Sequence, residues 1–214
     1  VDENQVSANT VPIEEALVVN SAKERRTIIM DVLNDNPKEY IEFLQKAGNN
    51  EDTEVVHYAV TAMVEISKEN DYKLQEFERQ LSLNPDDITV LNQYTDFLWN
   101  CLSQNLMQGQ VEVLNRELFS SLIQKKIALV NPSIYDFKRA IENELKRKNF
   151  TQASITLREM KNLYPDSEEY YLSRLDYLAS LGRGNDIKSL INEIYKRNIF
   201  LSSKTKEVLA FWES

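Results

Sequence analysis

The 214-residue sequence predicts an all-α fold, a solenoid of stacked helical hairpins, and three observations predict it. Only four Gly and five Pro occur, where a β-sandwich or barrel would need turn residues about every ten positions. Apolar residues recur at the three-and-four spacing of amphipathic helices along most of the chain. The dipeptide Asn-Pro returns at near-equal intervals, at Asn36-Pro37, Asn84-Pro85 and Asn131-Pro132. Each can open a helix, because Asn is a favoured N-cap and Pro suits the first helical position.

The elements follow in order. Residues 1–12 are polar and unpatterned, as a linker is, and the chain opens at Val1 without an initiator Met, so an upstream signal or membrane anchor is expected. Ala16, Leu17 and Val18, then Ile28, Ile29, Val32 and Leu33, predict two short helices around Arg25-Arg26. Tyr40, Phe43, Leu44 and Ala47 predict another, stopped by Gly48 and Asn49-Asn50. Val55, Val56, Ala59, Ala62, Met63 and Ile66 mark one amphipathic helix, which Leu74, Phe77 and Leu81 continue on a partner. Residues 13–83 therefore read as HEAT-like hairpins.

A longer hairpin is expected over 84–131. Val90, Leu91, Tyr94, Phe97, Leu98, Cys101 and Leu102 mark its first apolar face, and Val113, Leu114, Leu118, Leu122, Ile127 and Leu129 mark the return. Ser103-Gln104-Asn105 and Gly109 place the turn. Residues 132–214 hold two further hairpins. Ile134, Phe137, Ile141 and Leu145 pair with Ala153, Leu157, Met160 and Tyr164; Tyr171, Leu175 and Leu178 pair with Ile187, Ile191 and Ile194 after Leu181-Gly182-Arg183-Gly184. The segment from Ser203 to Trp212 is expected to cap the open end of the stack.

Pro132 and Pro165 stand 33 residues apart, and a shift of 34 carries Ala153 onto Ile187, Leu157 onto Ile191 and Met160 onto Ile194. With the turn at Asn149-Phe150, the second helix carrying Ala153 and the proline-led turn at Pro165, this part resembles a tetratricopeptide repeat protein. The resemblance implies a right-handed superhelix whose concave surface holds peptides or protein partners. It covers residues 132–198 and departs from the family's first-helix Trp and Leu-Gly-Tyr positions. A narrower likeness rests on Lys23-Glu24-Arg25-Arg26, Asp31-Val32-Leu33 and the run from Asn50 to Ala59, including His57 and Tyr58. These stretches are similar to the helical-repeat region of membrane-anchored PelE-like proteins of bacterial exopolysaccharide loci. That likeness implies an upstream anchor at the cytoplasmic face of the membrane and docking to subunits of a membrane complex.

Composition narrows function further. A formal charge of −9 and a pI near 4.8 argue against a phosphate backbone as partner, so no nucleic acid is expected. The basic run Lys146-Arg147-Lys148 reads as a solvated helix C-terminus. Cys101, the single cysteine, reads as a buried thiol. No apolar run is long enough to span a membrane.

Signatures of common chemistry are missing: there is no phosphate-binding glycine loop, dinucleotide fingerprint, nucleophile elbow or HExxH. His57 is the only histidine and reads as a hydrogen-bonded residue beside the core, with Glu54, Glu65 and Glu69 as the carboxylates a reaction would need. Asp52-Glu54, Asp86-Asp87 and Glu168-Glu169 read as helix-start charges. The sequence thus predicts no enzyme, no cofactor and no metal site, but a protein-binding scaffold. Its expected contact residues are Arg25, Arg26, His57 and Tyr58 in the N-terminal part and Tyr171, Arg174 and Tyr177 in the C-terminal part. Exposed aromatics among Tyr170, Tyr171, Tyr177, Phe200, Phe211 and Trp212 would anchor the partner. The acidic surface predicts a basic or mixed-charge partner. The alternative is a regulator gated by a peptide or small ligand, and dimerisation through an unsealed solenoid end is open.

Overall fold

The computed structural model describes residues 17, 21–129 and 131–213, which are helical throughout and contain no strand. The proposed linker 1–12 lies outside the described residues, as do Ala16 and Val18. Contacts divide the chain into two units, Val1–Arg79 and Gln80–Ser214.

In the first unit, α1 (Ala22–Asn34) starts at Ser21, whose hydroxyl accepts from the Glu24 N–H while the Glu24 carboxylate accepts from the Ser21 N–H. This capping box satisfies two donors that the first turn leaves open. One helix therefore carries Arg25-Arg26. A 3₁₀ turn (Pro37–Tyr40) and α2 (Ile41–Ala47) bury Ile41, Phe43, Leu44 and Ala47. The long helix α3 (Thr53–Leu83) follows. The sequence places a hairpin between Ile66 and Leu74, and the structure corrects this to one uninterrupted helix of 31 residues, about 46 Å long. No Gly or Pro interrupts it, and Glu65 with Lys68 and Glu76 with Arg79 form ion pairs three residues apart along its surface.

In the second unit, α4 (Ile88–Ser103) packs on α5 (Gly109–Leu129), then α6 (Ile134–Lys146) on α7 (Phe150–Leu163), α8 (Glu168–Ser180) on α9 (Gly184–Lys196), and α10 (Ser203–Glu213) against α9. The first helices of the two last hairpins start 34 residues apart, and so do the second helices. The turns match too: Lys148 and Gly182 hold left-handed backbone with φ of 58° and 66°. Ala153, Leu157, Met160 and their counterparts Ile187, Ile191 and Ile194 are all buried. Phe137, Ile141, Tyr171 and Leu175 complete this core, and α10 closes it with Leu209. Cys101 is buried, as expected.

Asn36-Pro37 opens the 3₁₀ turn with Asn36 at its N-cap position, although the Asn36 side chain makes no cap bond; the other two Asn-Pro dipeptides do not cap helices. Asn84 ends α3 and its carbonyl accepts from the Asp87 N–H, closing a turn around Pro85; Asp87 is the N-cap, accepting from Val90. Tyr164-Pro165-Asp166-Ser167 repeats the arrangement with Ser167 as cap, and Ser133, not Asn131, caps α6 in a capping box with Asp136. Proline presets the backbone of a turn at its second position, and a short polar side chain then takes the cap.

Polar ties join neighbouring elements. Lys126 of α5 and Asp136 of α6 form a buried ion pair at 2.7 Å, with side chains 11% and 7% exposed. Buried Asn143 donates to the Arg116 carbonyl at 2.9 Å, and Glu144 accepts from Ser120 and pairs with Arg147. The Tyr164 hydroxyl donates to the Pro132 carbonyl, and Glu168 accepts from the hydroxyl and N–H of Ser202.

These ties predict a pH dependence. Burial pushes the Asp136 carboxyl up, but Lys126 and the Ser133 hydroxyl and N–H outweigh it and hold it below the usual carboxylate range. Glu168 behaves likewise, burial being outweighed by the Thr205 and Ser202 donors, and Asp52 is lowered chiefly by Arg26. A carboxylate lowered on folding contributes stability that is complete above its unfolded value and vanishes as pH falls through its folded value. Midpoints of urea unfolding should therefore hold steady above about pH 5 and fall below about pH 4. Asp176 acts with the opposite sign, being raised by burial and by Glu142. A midpoint that stays level down to pH 3 would show that these carboxylates are not selectively stabilised by the fold.

Candidate partner-binding site

The structure places the residues expected to contact a partner in three environments. Arg25 and Arg26 hold the first unit together. Buried Arg25 donates to Glu51 at 2.9 Å and to the Leu17 carbonyl, and Asn50 donates to that same carbonyl. Arg26 grips both oxygens of Asp52 at 2.9 and 3.1 Å and also pairs with Glu54. Asp52 in turn accepts from the Glu54 N–H at the start of α3. The two stretches that suggest the PelE-like likeness are thus fastened to each other. A partner cannot reach the buried Arg25, and the forked geometry leaves Arg26 committed to Asp52. For Arg25 the structure corrects the contact role to a structural one.

His57 is exposed on α3 rather than hydrogen-bonded beside the core; its ring stands 5.9 Å from that of half-buried Tyr58. The nearby carboxylates are engaged by cations: Glu54 by Arg26, Glu65 by Lys68 and Glu69 by Lys38. Lys38 lowers the Glu69 carboxyl, the reverse of the shift a general acid needs. Among the described residues no group of His, Cys, Asp or Glu is placed to hold a metal ion, and no helix is long and apolar enough to cross a membrane.

The C-terminal residues divide sharply. Tyr171 is 1% exposed, and its hydroxyl accepts from Arg197 at 3.0 Å, so it is a core residue with its polar tip satisfied within the protein rather than an anchor for a partner. Burial raises its phenol, as it does that of Tyr170. Arg174 and Tyr177 remain accessible on α8, where they line a pocket of about 390 Å³ between α7, α8 and α9. Arg174 pairs with Glu193 at 2.8 Å. Burial works against its charge, but Glu193 and the Tyr170 phenol more than offset that and keep it firmly protonated.

A second depression, of about 520 Å³, lies between α6 and α8. Lys138, Glu142 and Lys146 of α6 face Asp176 and Ser180 of α8 across a floor that includes Leu145 and Ala179. Sequence reasoning missed this groove. Its signal was present: Lys138, Glu142 and Lys146 recur every four residues beside the buried Phe137, Ile141 and Glu144, so α6 has a continuous polar stripe. Of the aromatics, Phe200 and Phe211 are exposed and Trp212 is half-buried against Phe211.

No family model matches the chain, and no curated protein matches it. Among solved structures it is similar to MamA 41-end from Desulfovibrio magneticus RS-1, with 12% sequence identity and a TM-score of 0.47, over 81% of this chain and 93% of that one.

Proposed function

We propose that this chain is a non-catalytic protein-binding scaffold of the tetratricopeptide type, a right-handed stack of hairpins that holds a partner in the groove between α6 and α8. The observation that carries the reading is that groove: about 520 Å³, open, and lined by both signs of charge over an apolar floor, on hairpins that repeat at 34 residues. Mixed charge selects a partner by complementarity while the floor supplies buried area. The likeness of Lys23 to Arg26 and Asn50 to Ala59 to PelE-like proteins supports a finer reading. In it the scaffold docks subunits of a bacterial exopolysaccharide synthesis or secretion complex at the cytoplasmic face of the membrane, through an anchor upstream of Val1.

The test pairs the chain with a Lys138→Glu, Glu142→Lys variant as baits for a solubilised membrane fraction, followed by reconstitution with the purified partner. Stoichiometric recovery of a membrane-complex subunit, weakened about tenfold or more by the charge swap, is the expected result. A partner held equally by both baits would move binding away from the groove. No stoichiometric partner, together with a small molecule or short peptide that compacts the chain, would favour a ligand-gated regulator instead.

A further inference from the structure

The pocket between α7, α8 and α9 is basic in an acidic protein. Across the chain Asp and Glu outnumber Lys and Arg by 34 to 25, yet this pocket is lined by four cations, Arg158, Lys161, Arg174 and Arg183, and one carboxylate, Asp186. Arg174 and Arg183 are oriented by Glu193 and Asp186. Arg158 and Lys161 are exposed, and neither forms an ion pair with a described residue. A lone lysine in the last turn of a helix is ordinarily a dipole partner. Lys161 has Arg158 one turn before it on the same face, and the two share the pocket lining with Arg174 of α8 and with Arg183 just before α9. Even with Asp186 and Glu193 counted, cations outnumber carboxylates here by four to two, and such an excess of like charge is stabilised by an anion from outside.

We propose that this pocket docks an acidic segment of the partner protein, its Asp and Glu carboxylates received by Arg158, Lys161 and Arg174, with Tyr177 at the rim. The proposal rests on the scaffold reading above and specifies the chemistry of one partner segment. The pocket is an open depression with cations distributed over α7, α8 and the turn before α9, which suits carboxylates spaced along a peptide better than one compact phosphate. Guanidinium groups flanked by an amphipathic tyrosine also supply the contact types enriched at interface hot spots. The acidic surface elsewhere would repel such a segment, so it is steered to this patch.

The experiment measures anisotropy of a fluorescein-labelled octaglutamate peptide with the whole chain, an Arg158→Glu, Lys161→Glu variant and a control, Lys204→Glu, Lys206→Glu, at two exposed lysines of α10. Helicity of all three is checked by circular dichroism. Saturable binding that weakens about tenfold or more in the first variant, changes less than about twofold in the control, and falls with added salt is the expected result. No binding, or equal loss in both variants, overturns the proposal. So does inorganic pyrophosphate binding in place of the peptide, which would assign the pocket to a phosphate ligand. If the partner recovered through the α6–α8 groove survives Arg158→Glu, Lys161→Glu unchanged and the peptide does not bind, the acidic-segment proposal fails while the scaffold reading stands.

Discussion

Replacing Lys126 with Met is expected to destabilise the second unit by about 3–5 kcal/mol, because it strands the Asp136 carboxylate in a site where only 7% of that side chain meets solvent. The Ser133 hydroxyl and N–H still donate to Asp136, but hydrogen bonds alone do not replace a neutralising charge at that depth. Adding Asp136→Asn should recover part of the loss, since the neutral amide keeps the shape and an acceptor for the cap. A coupling above about 1 kcal/mol between the two sites is the expected outcome of the cycle. Both tryptophans, Trp99 and Trp212, lie in this unit, so urea unfolding followed by tryptophan fluorescence reports it directly. A loss below about 1 kcal/mol for Lys126→Met would mean that water reaches the pair.

Tyr171→Ala should cost about as much, roughly 3–5 kcal/mol, and lower the melting temperature by about 10 °C, by removing a ring that fills the centre of the C-terminal core. It also removes the acceptor of the Arg197 bond, although Arg197 keeps Asp166 at 2.6 Å. Tyr171→Phe should lose only about 1 kcal/mol, the worth of that hydrogen bond. Tyr177→Ala, on the half-buried rim of the basic pocket, should leave the melting temperature within a few degrees while weakening the docked segment. The two tyrosines stand six residues apart on one helix and invite the same assignment from sequence. A stable Tyr171→Ala protein with impaired partner binding would restore it to the interface.

Much of the second unit was legible in the sequence because its signals are local. Helix periodicity, Gly182 at a left-handed turn and the 34-residue shift each depend on residues close together, and the helices lie where those signals place them. What was not legible depends on which of several satisfactory local options the tertiary structure selects. Asn-Pro fits a helix start and a turn equally well, and Asp87, Ser133 and Ser167 won the caps. Between Ile66 and Leu74, Asn70 and Asp71 suit a turn but are tolerated in a helix, and no Gly or Pro forces a break there. Burial was the least legible property. Arg25 is an exposed residue by type, yet Glu51 and the Leu17 carbonyl draw it inside. Tyr171 is amphipathic by type, yet its position matches Phe137 one repeat earlier. The groove between α6 and α8 was missed because its polar stripe resembles any solvated helix face until a second helix is set against it.

The ties that join successive helices in the second unit have a consequence for how this part of the chain reaches its fold. From Lys126 with Asp136 to Arg139 of α6 with Asp96 of α4, they close loops of 10 to 43 residues. Loops of that size form early, and structures dominated by such short-range pairing fold quickly. On the ribosome the hairpin of α4 and α5 has its whole complement of mutual contacts before α8 is made, and each later hairpin arrives on a finished surface. The segment that follows α9 seats Leu209 of α10 on the C-terminal core and brings Ser202 to Glu168, so the growing end stays sticky only until α10 is made.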